Sequence, residues 1–285
     1  MLLGGSMNKN VLRFLGLAFL ISWVTFAVLY FGFSMREGTQ FLMTVFLFMW
    51  GPFFASLLAS KISHGGFFEA LDLKLRFNRW LILSFFAPLM LGFLCILIAK
   101  VFGQTILSYH EAILDPENVV PVPAYYIMFG VMFIISGLIN GPLSISEELG
   151  FRGYALKELL SENGFWKTSL FIGFFWGLWH LPIIWAGYNY VGLPFGLSMI
   201  LMICVAITLS PILNYLTIKS QTVWAACGFH GIFNYVAGIS ALMIISPNGA
   251  SYGMLGVFGI LAYLSCILVL YGIYRVTNIG SLNEL

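Results

Sequence analysis

The sequence predicts an all-α protein that crosses a membrane several times. Of its 285 residues, 60% are hydrophobic and 8% are charged, and its mean hydropathy is +0.96. Soluble domains are about half apolar and about a quarter charged, so this composition excludes an ordinary soluble domain. Apolar runs of about 20 residues, the length that crosses a bilayer as a helix, recur along the chain. Backbone groups in lipid must bond within their own segment, so we expect these runs to be helical.

Eight membrane-spanning helices are predicted, and each has a landmark in the sequence. The first follows Lys9 and Arg13 and has no small-residue cleavage site at its end, so we expect it to be retained. The second and third flank the basic segment 61–79, and the third and fourth flank the acidic segment 103–122. The fourth ends at the charged stretch that contains Glu147, and the last four follow it. The predicted boundaries are about 11–33, 41–60, 80–102, 123–145, 166–187, 192–215, 222–245 and 253–274.

The distribution of positive charge predicts the orientation. With the N-terminus in the cytoplasm, 11 lysines and arginines lie inside and two, Arg36 and Lys100, lie outside. Cytoplasmic loops carry the excess of lysine and arginine, so both ends of the sequence are predicted to be cytoplasmic. The inside residues are Lys9, Arg13, Lys61, Lys74, Arg76, Arg79, Arg152, Lys157, Lys167, Lys219 and Arg275.

The segment 61–79 is predicted to be a cytoplasmic interfacial linker. Phe67, Leu71 and Leu75 recur at helical spacing among basic residues, which is typical of a helix lying at a membrane surface. Either contact with a substrate or plain anchoring fits this pattern, and we favour anchoring. No internal repeat or second domain is evident, so residues 1–285 are predicted to form a single membrane domain.

Two classes of function are disfavoured by composition. The four cysteines lie in apolar runs with no CxxC pair, which favours buried thiols over a disulfide framework or a zinc site. No basic patch interleaved with aromatic residues is present, so nucleic-acid binding is not expected.

Six polar residues lie close to or within the predicted spans, where ionisable groups are costly and functional by default. They are Glu147, Glu148, Arg152, His180, His230 and Asn234. Glu148 and Arg152 are four residues apart and share a helix face, so we expect them to pair. Glu147 points about 100° away and is predicted to remain available as a general base. An ordinary helix end with its charges in water is the alternative.

The histidines lie on two other spans. His180 stands among aromatic residues, and Pro182 removes a backbone donor nearby, so we expect a bent helix and a polar pocket. His230 and Asn234 share one face of the seventh span. Structural packing accounts for either segment alone, because histidine and asparagine often bond across membrane helices. Together with Glu147, these residues supply a base and oxyanion donors, which suffice for hydrolysis.

The ordered motifs resemble the CPBP family, which contains the type II CAAX prenyl endopeptidases and the bacteriocin-processing and immunity proteins. The matching residues are Glu147, Glu148 and Arg152, then Trp176 and His180, then His230 and Asn234. The resemblance covers about 120–250, which is the predicted catalytic core. The family's second motif usually begins with phenylalanine, and Trp176 stands there instead.

The resemblance implies an intramembrane endopeptidase whose cavity opens to the cytoplasm. It implies that Glu147 activates water with His180, that His230 and Asn234 stabilise the oxyanion, and that Glu148, Arg152 and Trp176 support the site. The implied partners are the bilayer and a prenylated or otherwise lipid-modified peptide, cut near its C-terminus. The implied location is the cell membrane, or the endoplasmic reticulum membrane in a eukaryote. A non-catalytic immunity or scaffold protein is the alternative.

No cofactor is expected. Glutamate and histidine are legitimate zinc ligands, but HExxH is missing and no cysteine joins the cluster, so we favour a metal-free glutamate protease. The only aspartates, Asp72 and Asp115, lie in predicted loops, which argues against an aspartyl protease. No GxSxG-like stretch supports a rhomboid-type serine, and no inverted repeat supports a transporter.

Overall fold

The computed structural model describes residues 8–68, 70–71, 73–113, 121–245 and 252–276, with side chains as far as 272. Asp72 and Asp115, which were predicted to lie in loops, fall outside these residues.

Helices make up most of the described chain. The first half contains α1 (Lys9–Ala27), a π-helical turn (Val28–Gly32), α2 (Gly38–Met49), α3 (Gly51–His64), α4 (Arg79–Val101), β1 (Thr105–Ile106), α5 (Tyr109–Ile113) and α6 (Val122–Ile135). A π-helical turn (Ser136–Asn140) leads into α7 (Gly141–Leu143), α8 (Ile145–Glu148), a longer π-helix (Leu149–Ala155) and α9 (Leu156–Leu160). The remainder is α10 (Phe165–Trp179), α11 (Leu181–Trp185), α12 (Phe195–Ser220), α13 (Trp224–Met243), β2 (Ile244–Ile245), a 3-10 turn (Gly253–Leu255) and α14 (Val257–Val276).

The predicted all-α polytopic membrane fold is confirmed. Within the described residues, six helical stretches are long and apolar enough to cross a membrane: Lys9–Gly32, Gly38–His64, Arg79–Val101, Val122–Leu160, Phe195–Ser220 and Trp224–Met243. The predicted fifth span is interrupted at His180, since α10 ends before it and α11 starts after it. The eighth corresponds to α14. The count of eight crossings stays a prediction.

The prediction of a helix over 61–79 is wrong for the residues that the structure describes. Residues 61–64 are the last turn of α3, and no helix follows in the described part of 65–78. Gly65 ends α3 in the left-handed conformation, with φ +86°. Beyond α3, part of the backbone bonds to a side chain, since the Ser60 hydroxyl accepts from the Ala70 N–H at 3.1 Å. That the segment is a cytoplasmic linker, and that residues 1–285 form one domain, stay predictions.

One end of the helix bundle, which we call the basic end, gathers the start of α1, the described residues of 65–78, α9 and the turn between α12 and α13. Asn8 donates to the Glu162 carboxylate at 2.8 Å. Asn78 donates to the Ser220 carbonyl at 2.8 Å. These contacts tie chain segments about 150 residues apart into one surface.

The other end, which we call the sheet end, gathers residues 102–113, 186–194, 244–245 and 252–256. β1 pairs antiparallel with β2, with Thr105 opposite Ile245. The Tyr252 hydroxyl donates to the Val191 carbonyl at 2.8 Å. At the far end of α14, Tyr271 lies 5.9 Å from Trp166, ring to ring, so α14 returns towards the basic end where α1 begins. Which end faces the cytoplasm stays a prediction.

The backbones of α10 and α12 touch, and this contact fixes the helix that carries Trp176. A Cβ at Gly173 would lie 2.6 Å from the Ile207 Cα, and one at Gly177 would lie 2.7 Å from the Ile203 Cα. Only glycine fits at such a distance.

We expect Gly173→Ala to destabilise the protein by about 1–3 kcal/mol, because the extra methyl group must separate two packed backbones. Thermal unfolding of the purified protein in detergent would measure this. Gly16→Ala is the matched control, since a Cβ at Gly16 meets nothing within 4 Å. Equal stability of the two variants would contradict the close contact.

Candidate active site

Five of the predicted site residues lie around one cavity of about 280 Å³. They are Glu147, Trp176, His180, His230 and Asn234. The other two, Glu148 and Arg152, lie fully buried behind the cavity wall. The fold therefore brings together the three motif segments, 147–152, 176–180 and 230–234, which lie apart in the sequence.

A short helix followed by a wider π-helix places the two glutamates. α8 ends at Glu148, and the π-helix begins at Leu149. π-Helical segments are rare and occur frequently at functional sites. Gly150 allows this segment to pack closely against α1 and α3, because a Cβ there would lie 2.8 Å from both the Phe14 ring and the Pro52 carbonyl.

Glu148 is the centre of a buried charge network. The predicted pairing with Arg152 is present, with Nη1 3.1 Å from Oε2. His230 lies on the other side, with Nδ1 2.7 Å from Oε1. A carboxylate only accepts, so the His230 Nδ1 carries a proton that it donates to Glu148. One carboxylate thus holds both an arginine and a histidine in place.

Arg152 makes two further contacts. Its Nη2 donates to the Ser210 hydroxyl at 3.0 Å, and its guanidinium carbon lies 4.2 Å from the centre of the Trp176 ring. A cation over an indole face is favourable, and more so away from water. Ser210 is not predicted from the sequence, because an isolated serine in an apolar helix has no spacing signal that links it to a distant arginine.

Glu147 points to the cavity and away from Glu148, as the helix geometry predicts. It also has a hydrogen-bond partner. The Trp176 indole N–H donates to its Oε2 at 2.8 Å. The side chain is 2% exposed. The bond to one oxygen fixes the carboxylate and leaves the other oxygen available to a water molecule.

His180 stands at the break between α10 and α11. Its Nδ1 lies 2.8 Å from the Trp176 carbonyl, which only accepts, so this nitrogen carries the proton. The Nε2 of the neutral ring is therefore an acceptor. The predicted bend beside Pro182 is present as the interruption after Trp179.

His230 and Asn234 lie on one face of α13, as their spacing predicts. A Cβ at Gly231 would clash with the backbone of Gly141, so α13 and α7 lie in direct contact here. This contact brings His230 to Glu148. Asn234 is exposed in the cavity and makes no hydrogen bond within the part of the chain that the structure describes.

Several lining residues were not predicted from the sequence. Tyr188 and Asn189 follow α11, Met202 lies on α12, and Tyr252 precedes the 3-10 turn. None falls in a motif, and their proximity to Glu147 follows only from the way in which the helices pack.

Within the described residues, no three His, Cys, Asp or Glu side chains gather in a way that could hold a metal ion. Independence from metal stays a prediction.

Comparison with known proteins supports the motif analysis. Residues 125–236 match the family model described as type II CAAX prenyl endopeptidase Rce1-like. A curated relative, CAAX prenyl protease 2 of Methanococcus maripaludis, is 33% identical over 95 residues, which cover 31% of this chain and 34% of the relative. The chain thus spans about a third of the length of the curated relative that it matches. All seven predicted site residues lie inside the matched range, and the resemblance to this family is confirmed.

Proposed function

Starting from the match of residues 125–236 to the Rce1-like endopeptidases, we propose that the protein hydrolyses a peptide bond inside the membrane, with Glu147 as the general base. The observation that carries this proposal is the Glu147 carboxylate, which lies in a cavity wall and is fixed by the Trp176 indole. A general base must lie within hydrogen-bond reach of the proton that it takes. A water bound to the second carboxylate oxygen meets that requirement.

The first step forms the bond between water and the peptide carbonyl carbon. Glu147 takes one proton of the attacking water. The unprotonated Nε2 of His180 accepts a hydrogen bond from the same water and orients it, since the Nδ1 proton of this ring is held by the Trp176 carbonyl. Holding water between two acceptors in a buried site reduces the entropy cost of attack.

The second group of residues stabilises the charge that develops on the carbonyl oxygen. The Asn234 amide is a donor on the cavity wall. His230 donates from Nε2 when its ring carries a second proton, because its Nδ1 proton is engaged with Glu148. Such donors typically contribute about 3–4 kcal/mol each to catalysis. The intermediate then collapses, the C–N bond breaks, and Glu147 returns its proton to the leaving amine.

Glu148 and Arg152 act through His230 as positioning residues. The Glu148 carboxylate stabilises the imidazolium form of His230, and Arg152 fixes the orientation of that carboxylate. Because Glu148 is paired with Arg152 on one side and with His230 on the other, the His230 ring is held in a fixed orientation in the cavity wall.

We propose a lipid-modified peptide at a cell membrane as the substrate. The name of the Methanococcus maripaludis relative, CAAX prenyl protease 2, supports a prenylated peptide. The cavity walls support an apolar ligand near the site, since Met202, Val205, Leu209 and Phe233 line it. No metal takes part in the proposed steps.

Purified protein incubated with a farnesylated CAAX peptide tests this proposal. We expect release of the C-terminal tripeptide, detected by mass spectrometry, and equal release in the presence of a zinc chelator. The same peptide without the farnesyl group is the control, and we expect it to be cut at least 10-fold more slowly. Loss of cleavage with chelator would contradict the metal-free mechanism, and equal rates on the two peptides would contradict the prenyl specificity.

A further inference from the structure

Trp179, the last residue of α10, is fully buried beside the histidine of the candidate active site. Its ring stacks on the Phe48 ring of α2, with 4.4 Å between the ring centres. On another side it meets the His180 ring nearly at right angles, with the planes at 77° and the centres 4.7 Å apart. His180 lines the cavity, whereas Trp179 does not. The orientation of the His180 ring therefore depends on a neighbour that lies behind the cavity wall.

The Ser22 hydroxyl of α1 fixes the ring of Trp179. The Trp179 indole N–H donates to the Ser22 Oγ at 2.8 Å, and this hydroxyl donates to the Phe48 carbonyl at 3.0 Å. Ser22 and Trp179 are both 0% exposed, so a donor that lost its acceptor here would have no compensation from bulk water. A Cβ at Gly51, the first residue of α3, would collide with the Ser22 Oγ. The bond thus lies where α1, α3 and α10 meet, and a glycine leaves space for it.

Trp23, the next residue of α1, fixes the backbone of Trp179. Its indole N–H donates to the Trp179 carbonyl at 3.1 Å. α10 ends at this residue, and the last carbonyl groups of an α-helix have no partner within that helix. Trp23 therefore supplies a donor immediately before His180, at the point where the chain passes into α11.

Both contacts act on the position of the His180 ring. Adjacent helix residues point about 100° apart, so Ser22 reaches the ring of Trp179 while Trp23 reaches its carbonyl. The His180 Nδ1 is fixed in turn by the Trp176 carbonyl, one turn earlier in α10. A rotation of the Trp179 ring, or a shift of the end of α10, would therefore move the imidazole away from this geometry.

We propose that Ser22 and Trp23 are positioning residues for hydrolysis. They fix the ring and the carbonyl of Trp179, which holds the His180 ring in the orientation that presents its Nε2 to the attacking water. This inference rests on the role proposed for His180. α1, which lies outside the matched residues 125–236, would then contribute to catalysis as well as to the fold. Plain packing between helices is the competing explanation, and it predicts a loss of stability with no loss of turnover per folded molecule.

Ser22→Ala and Trp23→Phe each remove one hydrogen bond to Trp179, and steady-state cleavage of the farnesylated CAAX peptide measures their effect. We expect kcat per folded molecule to fall roughly 10- to 100-fold in each variant while KM stays within about 2-fold, since a misplaced group costs turnover. Ser84→Ala is the matched control, because Ser84 is also 0% exposed and its hydroxyl donates to a carbonyl of its own helix. Parental kcat in both α1 variants, with or without a loss of stability, would overturn the proposal.

The same substitution in a His180→Ala background separates an effect through His180 from a general loss of packing. Residues that act through one another are not additive. We therefore expect Ser22→Ala to lower the residual kcat of the His180→Ala protein much less than it lowers that of the parent protein. An equal fold-loss in the two backgrounds would overturn the path through His180.

Nitrogen NMR of protein with isotope-labelled histidine rings provides a readout that does not depend on activity. The His180 signals are identified by their absence from the His180→Ala variant. We expect a protonated Nδ1 and an unprotonated Nε2 in the parent, shifted signals in Ser22→Ala and Trp23→Phe, and unchanged signals in Ser84→Ala. Unchanged His180 signals in both α1 variants would overturn the proposal. If the parent protein cleaves no peptide, the proposed function fails, while these signals still decide whether α1 fixes the His180 ring.

Discussion

Replacing Glu147 by glutamine is expected to reduce peptide cleavage by roughly 100- to 10,000-fold, the range that a general base contributes. Glutamine has the same shape and still offers an oxygen to the Trp176 indole, which now donates to the Glu147 carboxylate at 2.8 Å. It has no site for the proton of the attacking water. The rate should therefore fall while the fold is kept, and tripeptide release per mole of purified protein would measure the difference.

The control for this substitution is Glu37→Gln, which makes the same chemical change at an exposed position before α2. We expect it to cleave at the rate of the unmodified protein. Both variants should unfold at the temperature of the parent protein, within about 2 °C, if the fold is intact. A Glu147→Gln variant that cleaves at full rate would mean that another group activates the water. A biological function that survives in this variant would favour the immunity or scaffold alternative.

The sequence predicts most of the fold because a bilayer allows few solutions. Backbone groups in lipid must bond internally, so each apolar run of sufficient length is a helix. The prediction is wrong at 61–79, where the spacing of Phe67, Leu71 and Leu75 suggested a helix. There, Gly65 and the Ser60 hydroxyl divert the backbone into other hydrogen bonds. The spacing of apolar residues does not reveal that side-chain hydrogen bonds compete here with the backbone hydrogen bonds of a helix.

The spacing of residues along the helices predicts part of the site. Residues four apart on a helix share a face, which identifies Glu148 with Arg152 and His230 with Asn234. Contacts between helices have no such rule. The Glu148 bond to His230 joins residues 82 apart in sequence, and the Arg152 bond to Ser210 joins residues 58 apart. Both depend on how α8, α12 and α13 pack around the π-helix, which the sequence pattern does not predict.

Arg152→Met is expected to lower the free energy of unfolding by about 3–5 kcal/mol, because it removes the arginine that pairs with the fully buried Glu148 carboxylate. At roughly 2–4 °C per kcal/mol, the unfolding temperature in detergent should fall by about 10 °C. Arg36→Met is the control, since this arginine is exposed and such a charge contributes at most about 1 kcal/mol.

The double variant Glu148→Gln with Arg152→Met separates the cost of a lone charge from the value of the pair. A neutral glutamine beside methionine buries no unpaired charge. The double variant should therefore lose less stability than the sum of the losses in the two single variants. Cleavage should stay low in it, because His230 has lost the carboxylate that stabilises its imidazolium form. Additive losses of stability would mean that Glu148 and Arg152 contribute independently, which their 3.1 Å separation contradicts. A double variant that cleaves at the parental rate would show instead that the pair serves the fold alone, and His230 would then lose its place among the oxyanion donors.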